Sequence, residues 1–189
     1  MTTSPARWSL AFALASCLVL PTAVVAQSEP NEDGAAVPIP SLDGLAWYRS
    51  IDQSGSEIEA TGDESELAEW AVLLDDVGAT FDDLEYTYQS AFDPVTLPDV
   101  GGMATVRVAG ADTDALRDAV VADVITQVLK LGEEAPEPEE ATIGEKPVII
   151  VGLPAAFGHD AAIVYAHDDV AYVFLMDEDL AALALQQLP

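Results

Sequence analysis

Cysteine is almost absent from this sequence, and its single copy, Cys17, lies near the amino terminus. From residue 27 onward there is no thiol, so neither a disulfide framework nor a cysteine nucleophile is available there. Basic residues are also scarce, at 6 against 34 acidic ones, which gives a formal net charge of −28. A field of that sign repels phosphate groups, so we expect no nucleic-acid partner and no electrostatic docking on anionic lipid.

Long hydrophobic runs are missing as well. The run Trp8–Leu20 is, at about 13 residues, too short for a stable membrane-spanning helix. It follows the positive charge of Arg7 and ends at Pro21, and Val24–Ala26 supplies the residues that a signal peptidase reads. We therefore predict a secretory signal peptide over residues 1–26, a secreted or cell-envelope exterior location, and no transmembrane segment after cleavage.

The same segment offers a second interpretation. Leu14–Cys17 matches a lipobox, which would make Cys17 a lipidated residue and anchor an accessory lipoprotein to a membrane. The mostly apolar residues 18–26 favour cleavage after Ala26, because a lipoprotein usually turns polar directly after its lipidated cysteine.

Two regions are predicted after the signal. Residues 27–43 mix proline, glycine and acidic side chains without apolar periodicity, which is typical of a flexible spacer. Residues 44–189 form a single candidate domain, in which the acidic, proline-spaced residues 133–140 indicate an exposed linker. Helices are expected after the capping residues Asp63, Asp112 and Asp177. Strands are expected at 84–89, 103–109, 141–143, 147–151, 161–166 and 170–176, and 45–51 fits either a short strand or an arm docked by Trp47.

The order of these elements predicts the fold class. Consecutive strands joined by short turns pair antiparallel, and helices must cover a sheet face. We therefore predict an α+β domain with an antiparallel sheet of about five to six short strands and helices packed on one face. A single core beneath the helices should contain Leu116, Val120, Val124, Val148, Ile150, Val164, Tyr172 and Phe174.

The last quarter of the chain resembles a known group of proteins. The resemblance is carried by turn and strand residues, namely Gly144-Glu145-Lys146, Val148, Tyr165, Asp169-Val170, Tyr172-Val173 and Leu188-Pro189. In these positions the sequence is similar to small exported bacterial proteins of unknown function. The resemblance implies a fold and an extracytoplasmic address, and it carries no activity or functional residue.

The sequence predicts neither a metal-binding motif nor a nucleophile motif. His159 and His167 are each followed by Asp, but a strand between them would separate them by roughly 26 Å, so they could not share an ion. The acidic triplets Asp112–Asp114 and Asp177–Asp179 stand where helices begin, which favours capping over calcium binding. Ser54–Ser56 falls in a predicted loop, and Gly101-Gly102 suits a turn before a strand. We expect no catalytic, cofactor-binding or metal-ligating residue.

These observations favour a non-enzymatic binding or accessory domain whose partner is a protein or a small apolar ligand. Six aromatic residues on strand faces are core residues in the first interpretation and line a ligand groove in the second: Tyr86, Tyr88, Phe92, Tyr165, Tyr172 and Phe174. A carboxylate-dependent hydrolase is the alternative, because so many acidic residues bring some carboxylates together in any fold. It would require a pocket holding two converging carboxylates with raised pKa.

Overall fold

The computed structural model describes residues 37–42, 44–95 and 99–189. The predicted signal peptide, the lipobox with Cys17 and most of the predicted spacer lie outside the described residues. Within the described ranges, no helix combines the length and the apolar character needed to cross a membrane.

A single antiparallel sheet forms the body of the protein. Its strands are β1 (Ala46–Ser54), β2 (Leu84–Phe92), β3 (Asp99–Val108), β4 (Glu139–Ile143), β5 (Lys146–Gly152), β6 (Ala161–His167) and β7 (Val170–Met176). They lie in the order β1-β2-β3-β7-β6-β5-β4. The α+β class is confirmed, but the seven described strands exceed the predicted five to six. The segment that fitted a strand or an arm pairs with β2 along its length and so becomes β1.

Four helices accompany the sheet among the described residues: α1 (Gly55–Thr61), α2 (Glu64–Val77), α3 (Thr113–Lys130) and α4 (Glu178–Leu185). Asp63 caps α2 and Asp112 caps α3, each with one carboxylate oxygen that accepts from two backbone N–H groups. Asp177 occupies the capping position of α4 but makes no such side-chain bond. The stretch expected to be a loop at Ser54–Ser56 instead begins α1, where Ser54 and Glu57 form a reciprocal capping box.

The sheet buries both faces, which corrects the prediction of helices on one face and of a single core. Helices α1, α2 and α3 cover one face, and Leu116, Val120, Val124 and Val164 belong to that core. Helix α4 covers the opposite face, whose core contains Val148, Tyr172 and Phe174, with Ile150 packed against it. The split follows from the strand period of two, because successive side chains of one strand point to opposite faces. Val37 and Leu42 also pack on the second core.

The two glycines expected in a turn lie inside β3 instead. Gly102 pairs with Ser90 on β2 and faces the ring of Tyr88, which is 3% exposed. A Cβ atom at position 102 would lie 2.4 Å from Tyr88 Oη, closer than any real contact. The absent side chain therefore makes room for the tyrosine on the neighbouring strand.

Candidate functional site

The residues tested for metal binding do not come together. His159 precedes β6 and His167 ends it, with His167 Nε2 3.5 Å from Asp168 Oδ2. Within the described ranges, no group of three or more His, Cys, Asp or Glu side chains is arranged to hold a metal ion.

Five of the six strand aromatics are buried in the two cores, and Phe92 is half-buried. Tyr165, Tyr172 and Phe174 stack in a row on the second face, with ring centroids 6.0 and 6.5 Å apart. Trp70 and Tyr86 meet edge to face on the first, at 5.3 Å. The aromatic surface is therefore packed under helices and does not form an open groove.

Several residues that carry the sequence resemblance meet on the second face. Lys146 Nζ donates to Leu188 O at 3.1 Å and also to Pro189 O, which accepts a further bond from the Tyr165 hydroxyl. The same ammonium lies 5.4 Å from the centre of the Tyr165 ring. These residues secure the segment after α4 to the sheet, which is a structural role.

Two carboxylates do converge, at the seam between α2 and α3. Gln127 Nε2 donates to Glu69 Oε2 and to Asp123 Oδ1, each at 3.1 Å. Lys130 Nζ lies 2.6 Å from Glu69 Oε1 and donates to Gln127 Oε1 at 3.4 Å. The four side chains thus form a continuous network that ties one helix to the other. We call this network the α2–α3 seam.

One carboxylate oxygen of the seam is a buried polar atom without a hydrogen-bond partner. Asp123 is half-buried as a residue, but its Oδ2 is fully buried and unpaired. Trp70 Nε1, Tyr86 Oη and Gln53 Oε1 are buried and unpaired as well. Burial, with a further contribution from the Glu69 charge, raises the pKa of Asp123 to about 6 against the lowering effects of Gln127 and Lys130. Burial also raises the pKa of Tyr86 well above its ordinary value.

The geometry of the seam does not suit hydrolysis. The amide nitrogen of Gln127 occupies the position between Glu69 and Asp123 where a reacting atom would have to lie. Lys130 additionally neutralises Glu69. The raised pKa therefore comes from a helix-to-helix contact and not from a substrate pocket.

The buried carboxyl group of Asp123 should make the free energy of unfolding depend on pH. Because the folded-state pKa of Asp123 is raised above its unfolded value, the folded protein holds this proton more tightly, and stability falls as pH rises from about 4 through 6. Asp123→Asn keeps the acceptor for Gln127 but removes the charge, so at pH 7 it should be more stable than wild type by about 2 kcal/mol. Urea unfolding of both proteins from pH 4 to 7 measures the difference. Equal stability at pH 7 would contradict the prediction.

An accessible candidate site lies at the edge of the sheet, on β4. Within the described residues β4 pairs with β5 alone, through the two-residue turn Gly144–Glu145, whose φ angles are 57° and 70°. Such a turn is closed by a hydrogen-bonded pair, here Ile143 with Lys146, and the pairs alternate from there. Thr142 and Glu140 therefore turn their backbone N–H and C=O groups outward, to the free edge of the sheet.

A groove of about 440 Å³ runs beside this edge, on the face of the β4–β5 hairpin that is turned toward α3. It is lined by Arg117 of α3 and by hairpin residues, namely Glu140, Ala141, Thr142, Pro147, Val148 and Ile149. Arg117 is already engaged, with Nη1 2.8 Å from Asp114 Oδ1 and Nη2 2.9 Å from Asp118 Oδ1. Exposed acidic residues precede β4 at 133, 134 and 137 and begin it at Glu139, so the surroundings of the edge are strongly negative.

The sequence missed both places. Asp123 lies within the helix predicted after Asp112, where nothing in the local pattern distinguished it, and Glu139 and Glu140 were assigned to a linker. Local patterning carried a weak signal for the edge, since 141–143 and 147–151 were recognised as strands. No family model matches the chain, and no curated protein or solved structure matches it either.

Proposed function

We propose that this protein is an exported, non-enzymatic binding domain that captures an extended, positively charged segment of a partner protein along the edge of β4. The observation that carries the proposal is the outward backbone of Glu140 and Thr142 beside the groove at Arg117. An added strand would extend the sheet by main-chain hydrogen bonds and place alternate side chains over the groove.

Charge selects the partner's chemistry. Exposed acidic residues lead into β4 along the chain, Glu140 lines the groove, and Arg117 is neutralised by two aspartates of its own helix. A lysine or arginine side chain is therefore favoured in the groove, and an acidic segment is repelled. The same repulsion keeps the edges of two copies of this chain apart.

The test uses two synthetic heptapeptides with alternating residues, one of Lys and Val and one of Glu and Val. Isothermal titration calorimetry with the protein lacking residues 1–26 should show binding of the Lys peptide only, weakening as salt is raised. Thr142→Pro removes one outward N–H without breaking the β4–β5 ladder, so it should lower the affinity at least about tenfold.

Thr142→Val is the matched control and should bind like wild type, because its backbone N–H is retained. Glu140→Lys should weaken the Lys peptide and leave the melting temperature nearly unchanged. If Thr142→Pro melts like wild type and still binds with wild-type affinity, the edge is not the binding surface. Equal binding of both peptides would exclude selection by charge.

A further inference from the structure

The α2–α3 seam places an unpaired acidic oxygen among polar atoms that also have no partner. Gln53 on β1 pairs directly with Tyr86 on β2, so the two side chains lie side by side on the sheet face that α1, α2 and α3 cover. Trp70 of α2 touches Tyr86 edge to face. Asp123 of α3 lies close enough for its charge to act on the Tyr86 hydroxyl.

The charges around Asp123 make its ionised form unfavourable. Helix α2 presents Glu69 to it and α3 itself supplies Lys130, while Glu66 of α2 and Tyr88 of β2 act on the neighbouring hydroxyl of Tyr86. The single cation is already bound to Glu69 at 2.6 Å. An ionised Asp123 therefore keeps one buried oxygen without a donor beside a second carboxylate.

Protonation reverses this balance. A neutral Asp123 carries no charge and gains a hydroxyl donor, while its Oδ1 still accepts from Gln127. Tyr86 on β2 has an unpaired hydroxyl oxygen, and the charge of Asp123 acts on that group. One proton from solvent thus removes the repulsion and allows the network to extend from the helices to the sheet.

We propose that the α2–α3 seam is a proton-operated clamp, in which uptake of one proton by Asp123 tightens α2 on the sheet and its loss loosens α2. Helix α3 is fixed independently by its buried stripe Leu116, Val120, Val124 and Val128. Helix α2 buries only Trp70, Leu73 and Leu74, so it depends more on the seam. The clamp is separate from the β4 edge and does not require the proposed binding function.

Hydrogen exchange followed by mass spectrometry tests the clamp on the protein lacking residues 1–26. After correction for intrinsic exchange, protection of α2 amides should fall about tenfold between pH 5 and pH 7.5 and should remain below that of β6 and β7 throughout, because α2 opens while the sheet stays folded. Asp123→Asn should abolish the change in α2. Asp76→Asn, at an exposed position of α2, is the matched control and should retain it.

Glu69→Gln identifies the titrating group independently. Removing this neighbouring charge and freeing Lys130 should move the loss of α2 protection to lower pH in a series from pH 4 to 8, without abolishing it. The clamp is wrong if wild-type protection of α2 does not depend on pH, or if Asp123→Asn retains the wild-type dependence. Equal protection of α2, β6 and β7 at pH 7.5 would also overturn it, since that pattern means that α2 opens only by global unfolding.

Discussion

Substituting Val124 with Asp should cost the domain about 4 kcal/mol or more of its unfolding free energy. Val124 is 0% exposed and lies in the middle of α3. It packs in the core between the sheet and helices α1, α2 and α3. A carboxylate there would lose its hydration with no cation buried beside it, because Lys130 of the same helix is bound to Glu69. Most small domains have a total stability of only about 5–15 kcal/mol, so this single change should approach complete unfolding at moderate temperature.

Ala122→Asp is the matched control for this experiment. Ala122 is exposed on the same helix, so the substitution adds the same charge at the surface. Urea unfolding followed by far-UV circular dichroism should show a midpoint near wild type for Ala122→Asp and a greatly lowered one for Val124→Asp. Similar midpoints for the two variants would mean that α3 does not bury its stripe against the sheet.

Gly55→Ala should destabilise the protein by about 3 kcal/mol, although it adds only one methyl group. Gly55 is buried at the first turn of α1, and a Cβ atom there would lie 1.8 Å from the carbonyl oxygen of Phe81. That carbonyl belongs to the 3₁₀ turn Phe81–Asp83, in which Asp83 accepts from the backbone and hydroxyl of Thr80. The backbone must therefore move to admit the methyl group.

Gly152→Ala gives the comparison, because a Cβ atom at position 152 would have no neighbour within 4 Å. Thermal unfolding of the two variants should separate them clearly, with Gly152→Ala close to wild type. If Gly55→Ala also melts near the wild-type temperature, α1 does not dock against the turn at Phe81.

Much of the fold was readable from local patterns. Asp63 and Asp112 cap the helices that follow them, and Leu84, Tyr86 and Tyr88 share one buried face of β2 as their alternation predicts. These features depend on residues within one helical turn or one strand, whose spacing and hydrogen-bonding capacity the sequence states directly. The short turns likewise required antiparallel pairing.

Other features of the fold depended on which helices and strands pack against each other, and not on the residues within any one of them. Whether a second helix layer covered the sheet depended on α4 returning to the face opposite α3, and nothing in the spacing of its own residues specified that. Gly101-Gly102 had the composition of a turn, yet the packing of Tyr88 across the strand pair placed it inside β3. Within the described residues β4 is the last strand of the sheet, because β7 pairs with β3 and β6, β5 and β4 follow outward from it.

The acidic character, the α+β class and the starts of α2 and α3 could all be predicted from the chain, because each follows from composition or from short-range periodicity. Only the packing of α2 against α3 brings Asp123 to Glu69, 54 positions away along the chain, where both carboxylates accept from Gln127 Nε2. The physical reason is that the pKa of a carboxyl group and the accessibility of a strand edge are set by neighbours in space. Those neighbours come from distant segments that pack together only in the folded domain.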